Sequence, residues 1–387
     1  MNQWFVAAIW IGLALAASLI SIRTALSVAL VEILVGVVGG NFLHIPSTEW
    51  TTFLAGFGSI LLTFLAGAEV EPQILRKYLK ESLAIGFIAF LMPFAGVAAY
   101  CYYVAHWALP SAWIGGIALS TTSVAVVYAV MVETGLNETQ FGKLILAACF
   151  VNDLGTVLAL GIIFANYNVW LAVFAIVTAL VLVVVPRPTR WLLAKYGTHV
   201  SEPGVKFMFL LLFALGGLAV TANSEAVLPA YLVGLVLAQV CAENKDTVRR
   251  LRTTVFALLT PFYFLRAGSL VSLPAVAGGI ALIGILLLAK VTMKVVGIWP
   301  LTKAFRFANR PAAYTTLLMS TGLTFGTISA LFGYNHQIID QQQYTILVTV
   351  VIATAVIPTI IAQTWFRPTH AEVADFADEA LAVKEGE

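Results

Sequence analysis

Asp153 stands near the middle of a long apolar run, residues 141–165, with Asn152 before it and Gly155 and Thr156 after it. A carboxylate there needs a reason, because a charge at the centre of a hydrocarbon layer costs at least about 2.5–3.5 kcal/mol on insertion scales. It can hold a proton or a monovalent cation, but not both well, so the chemistry it suits is exchange of one for the other. The structural alternative is an aspartate neutralised by a lysine. Lys290 and Lys294 are the candidates for that partner. They lie one turn apart in a second apolar run, 275–300, and so share a helix face. One is expected to pair with Asp153, and the other to extend its stem toward the headgroups.

Small polar residues cluster at the centres of two further runs. Leu119-Ser120-Thr121-Thr122-Ser123 lies in 112–132, and Met319-Ser320-Thr321-Gly322 lies in 311–332, followed by Thr324, Gly326, Thr327 and Ser329. A helix crowded with Gly, Ser and Thr unwinds readily, because hydroxyls can satisfy the freed backbone groups. Ordinary small-residue helix packing is the competing explanation. The matched depth of the clusters and the opposite directions of their runs favour two breaks that cross, with carbonyls and helix ends turned toward an ion. Such paired interruptions mark an inverted repeat. Cation or proton binding is therefore expected at Asp153, Asn152, Thr121, Thr122 and Ser123, with Ser320, Thr321, Gly322 and Thr324 lining the second break.

The elements that must position these residues follow from composition. Of 387 residues, 60% are hydrophobic and 10% charged, against roughly 25% charged in a soluble domain. Lipid is the environment in which such a chain is stable. The net charge of +2 argues against a broad nucleic-acid surface. Apolar runs fall at 4–22, 26–43, 52–69, 82–104, 112–132, 141–165, 169–185, 203–222, 226–241, 253–272, 275–300, 311–332 and 343–363, giving an all-α membrane protein with about thirteen transmembrane helices. The N-terminal residues and the even-numbered linkers carry no lysine or arginine. The odd-numbered linkers, counted with the run ends beside them (Lys143 and Lys206), and the C-terminal tail carry all but three of the 21, the exceptions being Arg266, Lys290 and Lys294 deeper inside runs. The positive-inside rule then puts the N-terminus outside and the C-terminus in the cytoplasm. The first run lacks a basic leader and a cleavage site, and reads as a retained helix.

The remaining chemistry-bearing residues are fewer. Glu32 within the second run and Glu69 ending the third could line a cation funnel. Arg266 must face protein or water, with Glu32 or Glu225 as its expected ion-pair partner. His44, His106, His199, His336 and His370 show no ligand spacing, and Cys101, Cys149 and Cys241 read as core residues, so no metal and no cofactor is expected.

The sequence resembles the monovalent cation:proton antiporter family, the branch holding bacterial Na+/H+ exchangers and Kef-type potassium exchangers. The likeness covers about residues 4–363. It rests on Val31-Glu32-Ile33-Leu34-Val35-Gly36, Leu65-Ala66-Gly67-Ala68-Glu69, the Thr122-Ser123 step, the Asn152-Asp153 pair and Ser320-Thr321-Gly322. The resemblance implies a dimerisation domain and a six-helix core with two crossed broken helices. The expected division is 1–81 and 166–272 as scaffold, 82–165 and 273–366 as the two halves of the core, and 367–387 as an acidic cytoplasmic tail. It also implies a homodimer in a bacterial inner membrane, serving pH homeostasis, with Na+ or K+ and H+ as the transported species. Asp153 matches the ion-binding aspartate. For the core lysine, spacing from Pro261-Phe262 and to Ser320 favours Lys294, whereas depth favours Lys290. Many electrogenic relatives carry a second aspartate where this chain has Asn152. Asparagine there resembles the electroneutral members, although those often have arginine in place of the lysine. The rival reading, a sodium-coupled solute symporter, requires a larger cavity with polar groups for a substrate. An enzyme would need a nucleophile–base set or a phosphate loop, and neither is present.

Overall fold

The computed structural model describes residues 2–24, 26–68, 70, 77–165, 169–197, 199–222, 226–369 and 372–373, and within these the side chains of 129, 132, 133 and 138 are not described. Glu69, Glu225 and most of the acidic tail lie outside the described residues. Every described element is helical: α1 (Gln3–Thr24), α2 (Val28–Phe42), α3 (Glu49–Ala68), α4 (Leu79–Tyr103), α5 (Leu109–Ser120), α6 (Val124–Thr134), α7 (Gln140–Ile163), α8 (Val169–Val184), α9 (Pro186–Tyr196), α10 (Pro203–Thr221), α11 (Val227–Glu243), α12 (Lys245–Thr254), α13 (Thr260–Ser269), α14 (Leu273–Ala304), α15 (Asn309–Leu318), α16 (Thr324–Asn335) and α17 (Gln341–Trp365). Each expected apolar run coincides with one helix or with consecutive pieces of helix. Among the described residues, eight helical segments qualify as membrane spans by length and apolarity alone. The pair α8–α9, bent by 46°, would make a ninth.

Local chemistry sets the ends. Ser27, Thr139 and Ser272 accept backbone N–H groups at the starts of α2, α7 and α14. Asp340 and Gln343 form a reciprocal capping box at the start of α17. Proline occupies the first turn of α5, α9, α10, α13 and α14, where a missing N–H costs nothing. Between α12 and α13 the chain widens into one π-turn, Val255–Leu259, just before Pro261.

Two groups of helices pack among themselves: α1–α3 with α10–α13, and α4–α7 with α14–α17. In lipid, close van der Waals fit rather than water exclusion holds such helices together. Gly36 and Gly40 of α2 and Gly268 of α13 show this fit. A Cβ at any of them would run into the facing backbone, at Leu265, Ser269 and Ile33 respectively. Between the groups, α7 packs on α11. Polar ties cross the boundary: Tyr231 Oη donates to the Phe150 carbonyl (3.0 Å), Tyr344 Oη to the Ala267 carbonyl (2.6 Å), Arg266 Nη2 to Asn335 Oδ1 (3.3 Å), and the Leu273 N–H to Asn41 Oδ1 (3.1 Å).

Candidate functional site: two crossing breaks and one aspartate

The chain leaves the helix at Thr121–Ser123, between α5 and α6, and again between α15 and α16. The same side-chain device ends both first halves. Ser120 and Thr121 donate back to the carbonyls of Ile117 (2.8 Å) and Ala118 (3.1 Å). Ser320 and Thr321 donate back to Thr316 (2.7 Å) and Leu318 (2.8 Å). These hydroxyls satisfy carbonyls that a continuing helix would have bonded. The two extended stretches then meet. Ser123 N–H donates to the Thr321 carbonyl at 3.1 Å, and Thr122 Oγ1 donates to the Met319 carbonyl at 2.7 Å. Helix C-termini from α5 and α15 and helix N-termini from α6 and α16 therefore converge on one point. Partial charges of both signs are fixed there.

α7 runs beside this crossing and brings two adjacent residues to it. Asn152 is fully buried. Its Oδ1 accepts the Thr122 N–H at 2.8 Å, and its Nδ2 donates to the Ser120 carbonyl at 3.2 Å. An amide can serve both a stranded donor and a stranded acceptor, whereas a carboxylate accepts only. Asn152 thus clamps the first break, and both ends of its side chain are committed. Asp153 is 1% exposed, and its Oδ1 has no hydrogen-bond partner among the described residues. Its neighbours include Lys294, Tyr231 and Cys149, each close enough to feel its charge.

The lysines depart from expectation. Neither reaches the headgroups, since both are fully buried. Lys294 Nζ donates to Thr122 Oγ1 at 3.0 Å, and through that hydroxyl is linked to the Met319 carbonyl. Lys290 Nζ donates to Thr354 Oγ1 at 3.2 Å and rests against Gly322, where any Cβ would collide with it. Snorkelling fails here because the unwound segments supply acceptors and negative helix ends much nearer than the membrane surface. The expected contact ion pair is also missing. No pair within 4.0 Å among the described residues joins Asp153 to a lysine, or Glu32 to Arg266. Lys294 is nevertheless the lysine whose charge reaches Asp153.

Of the expected site residues, the structure brings Thr121, Thr122, Ser123, Asn152, Asp153, Lys290, Lys294, Ser320, Thr321 and Gly322 to one crossing, while Thr324 opens α16 immediately beyond it. Glu32 is elsewhere. It is 1% exposed on α2, with its Oε2 unpartnered, a buried group rather than an open funnel wall. Its companion Glu69 lies outside the described residues. Sequence reasoning passed over Thr354 and Tyr231. Thr354 was detectable as a hydroxyl in the middle of the apolar run 343–363, whereas an aromatic in an apolar helix gives no such signal. Among the described residues no His, Cys, Asp and Glu side chains group as a metal site.

Comparisons with known proteins agree with this architecture. "Cation/H(+) antiporter 18" of Arabidopsis thaliana is 25% identical over 346 residues, which are 82% of this chain and 42% of that protein, so this chain spans less than half of it. "Na(+)/H(+) antiporter" of Enterococcus hirae is 24% identical over 355 residues, 88% of this chain and 91% of that one. The solved structure of the sodium proton antiporter MjNhaP1 from Methanocaldococcus jannaschii superposes with a TM-score of 0.72. It covers 95% of this chain and all of that one at 14% identity, and so shares the fold. Residues 10–367 match the family described as "Sodium/hydrogen exchanger, transmembrane", and the chain belongs to that family.

Proposed function

We propose that this protein is a secondary antiporter that exchanges Na+ or K+ for H+ by alternating access. The observation that carries the reading is the contrast between two neighbours on α7. Asn152 commits its amide oxygen and its amide nitrogen to the first break, whereas Asp153, the next residue, keeps a buried carboxylate oxygen with no partner among the described residues. A dehydrated monovalent cation could take that oxygen together with backbone carbonyls and hydroxyls, and a proton could take its place. The family relatives named as cation/H+ or Na+/H+ antiporters support the same class of transport. A solute symporter would need a substrate cavity at the crossing, and the cavity of about 510 Å³ is lined by none of the crossing residues.

The same proposal divides the chain into a scaffold, 1–81 and 166–272, and a core, 82–165 and 273–366, which rock against each other. It places about thirteen spans in a cell membrane, with the basic linkers in the cytoplasm, in a homodimer.

If proton and cation share one carboxylate, they compete. Over the pH range in which Asp153 protonates, apparent cation affinity should fall about tenfold for each unit of acidification, by mass action at one site. The measurement is half-saturating Na+ or K+ for dye-reported proton movement in proteoliposomes at stepped pH. A constant affinity across the active range would exclude a shared site.

One carboxylate trading one proton for one monovalent cation moves no net charge. Exchange should therefore be insensitive to voltage, whereas a net charge per cycle would feel about 2.3 kcal/mol per 100 mV. Recordings on a solid-supported membrane should show no sustained cation-driven current. A sustained current lost in Asp153→Asn would instead mean that a second group, Lys290 or Lys294, gives up a proton when the cation binds.

A further inference from the structure

Away from the crossing, a cavity of about 510 Å³ lies between α3, α10 and α13 on one side and α16 on the other. That volume falls inside the ~300–1,000 Å³ range of ligand sites. Its polarity is graded with depth. Arg266, one turn from the end of α13, lines it together with Asn335 and His336 at the end of α16, all near the same membrane surface as the start of α3. Deeper in, the walls are Phe57, Phe213 and Leu212. Phe57 and Phe213 stack at 4.0 Å, and Phe213 also stacks on Phe53 at 6.1 Å. Phe53, Phe213 and Val220 are exposed on the helix surface, so the mouth opens on an apolar face of the helices.

The polar end is under-satisfied among the described residues. There Arg266 Nε is buried without a hydrogen-bond partner, and the Arg266 guanidinium reaches one uncharged acceptor, Asn335 Oδ1 at 3.3 Å. None of the ion pairs within 4.0 Å among the described residues includes Arg266. Tyr263, 1% exposed on the same wall, also has a hydroxyl with no partner. A guanidinium presents a planar fork of donors that fits a phosphate. Here the fork stands in the last turn of α13, at the polar end of an apolar slot.

We propose that this cavity is a binding site for a net-negative phospholipid drawn from that half of the bilayer. Its phosphate accepts from Arg266 and Tyr263, and one acyl chain lies along Phe57 and Phe213. A zwitterionic headgroup would bring its own cation against Arg266, and a free phosphate would leave the apolar slot unfilled. Since α13 and α16 belong to different helix groups, the lipid would bridge them at the point where Arg266 meets Asn335.

The test is thermal unfolding of the purified full chain in detergent. The additions are palmitoyl-oleoyl phosphatidylglycerol, phosphatidylcholine of the same chains, and inorganic phosphate. A ligand that binds the folded state raises the midpoint with concentration. Phosphatidylglycerol should raise it, and the other two should leave it near baseline. Arg266→Gln should raise the half-effective phosphatidylglycerol concentration about tenfold, the weight of one charge-assisted hydrogen bond. Gly216→Leu lines the deep slot without touching the arginine. A Cβ there meets only Ile60 Cδ1, at an ordinary 3.6 Å. It should weaken the lipid effect similarly, and it decides the matter if Arg266→Gln does not fold. An equal shift with phosphatidylcholine would reduce the site to general annular lipid. A shift with inorganic phosphate alone would make it a free-anion site, and unchanged lipid response in both variants would remove it.

Discussion

Asp153→Asn should reduce cation-driven proton movement in proteoliposomes to the level of empty liposomes, with the folded protein as stable as wild type or more so. The two halves of that result separate the carrier role from the structural one. The substitution keeps shape and volume and removes the group that titrates. A structural aspartate locked to a lysine would lose about 3–5 kcal/mol when one partner of the buried pair is neutralised. Asp153 has no such lock. Its Oδ1 is unpartnered, and Lys294 bonds to Thr122 instead. Replacing a buried, under-bonded carboxylate with a neutral amide lowers the cost of burial. Added Na+ or K+ should raise the unfolding midpoint of the wild type and leave the Asn variant unmoved. Transport retained in Asp153→Asn would end the assignment.

Substituting the two lysines should have unequal effects. Lys290→Met forfeits the bond to Thr354, a hydrogen bond to a charged group, for which about 1.5–3 kcal/mol is the usual scale. Lys294→Met loses the equivalent bond to Thr122, on the same scale of about 1.5–3 kcal/mol, and also removes the one lysine charge that reaches the buried Asp153 carboxylate, so its total loss is the larger. The expected order of unfolding midpoints is wild type, then Lys290→Met, then Lys294→Met. Combining Lys294→Met with Asp153→Asn should recover part of the loss, because the stranded charge is gone, giving a non-additive double-mutant cycle. Additive effects would mean that the two groups do not interact, and a reversed order would make Lys290 the partner of the aspartate.

Some of this was legible along the chain. The apolar runs, their one-sided basic linkers and the two polar interruptions are properties of consecutive residues. Depth in a membrane is a count of residues at about 1.5 Å of rise each. For that reason the helices and the polar clusters that break two of them, around Ser120–Ser123 and Ser320–Gly322, could be read from order alone, as could the expectation that Asp153 stands near mid-membrane. The rotation of each helix about its axis relative to its neighbours does not. Lys290 and Lys294 share a face by periodicity, so spacing could not say that one would meet Thr354 and the other Thr122, or that both would be buried. Nor could it show that Asn152 turns both its amide oxygen and its amide nitrogen to the first break, since Ser120 and Thr122 lie about thirty residues away in sequence. Arg266 was legible as a charge needing a partner. The cavity beside it exists only because α3, α10, α13 and α16, far apart along the chain, stop short of filling the space between them.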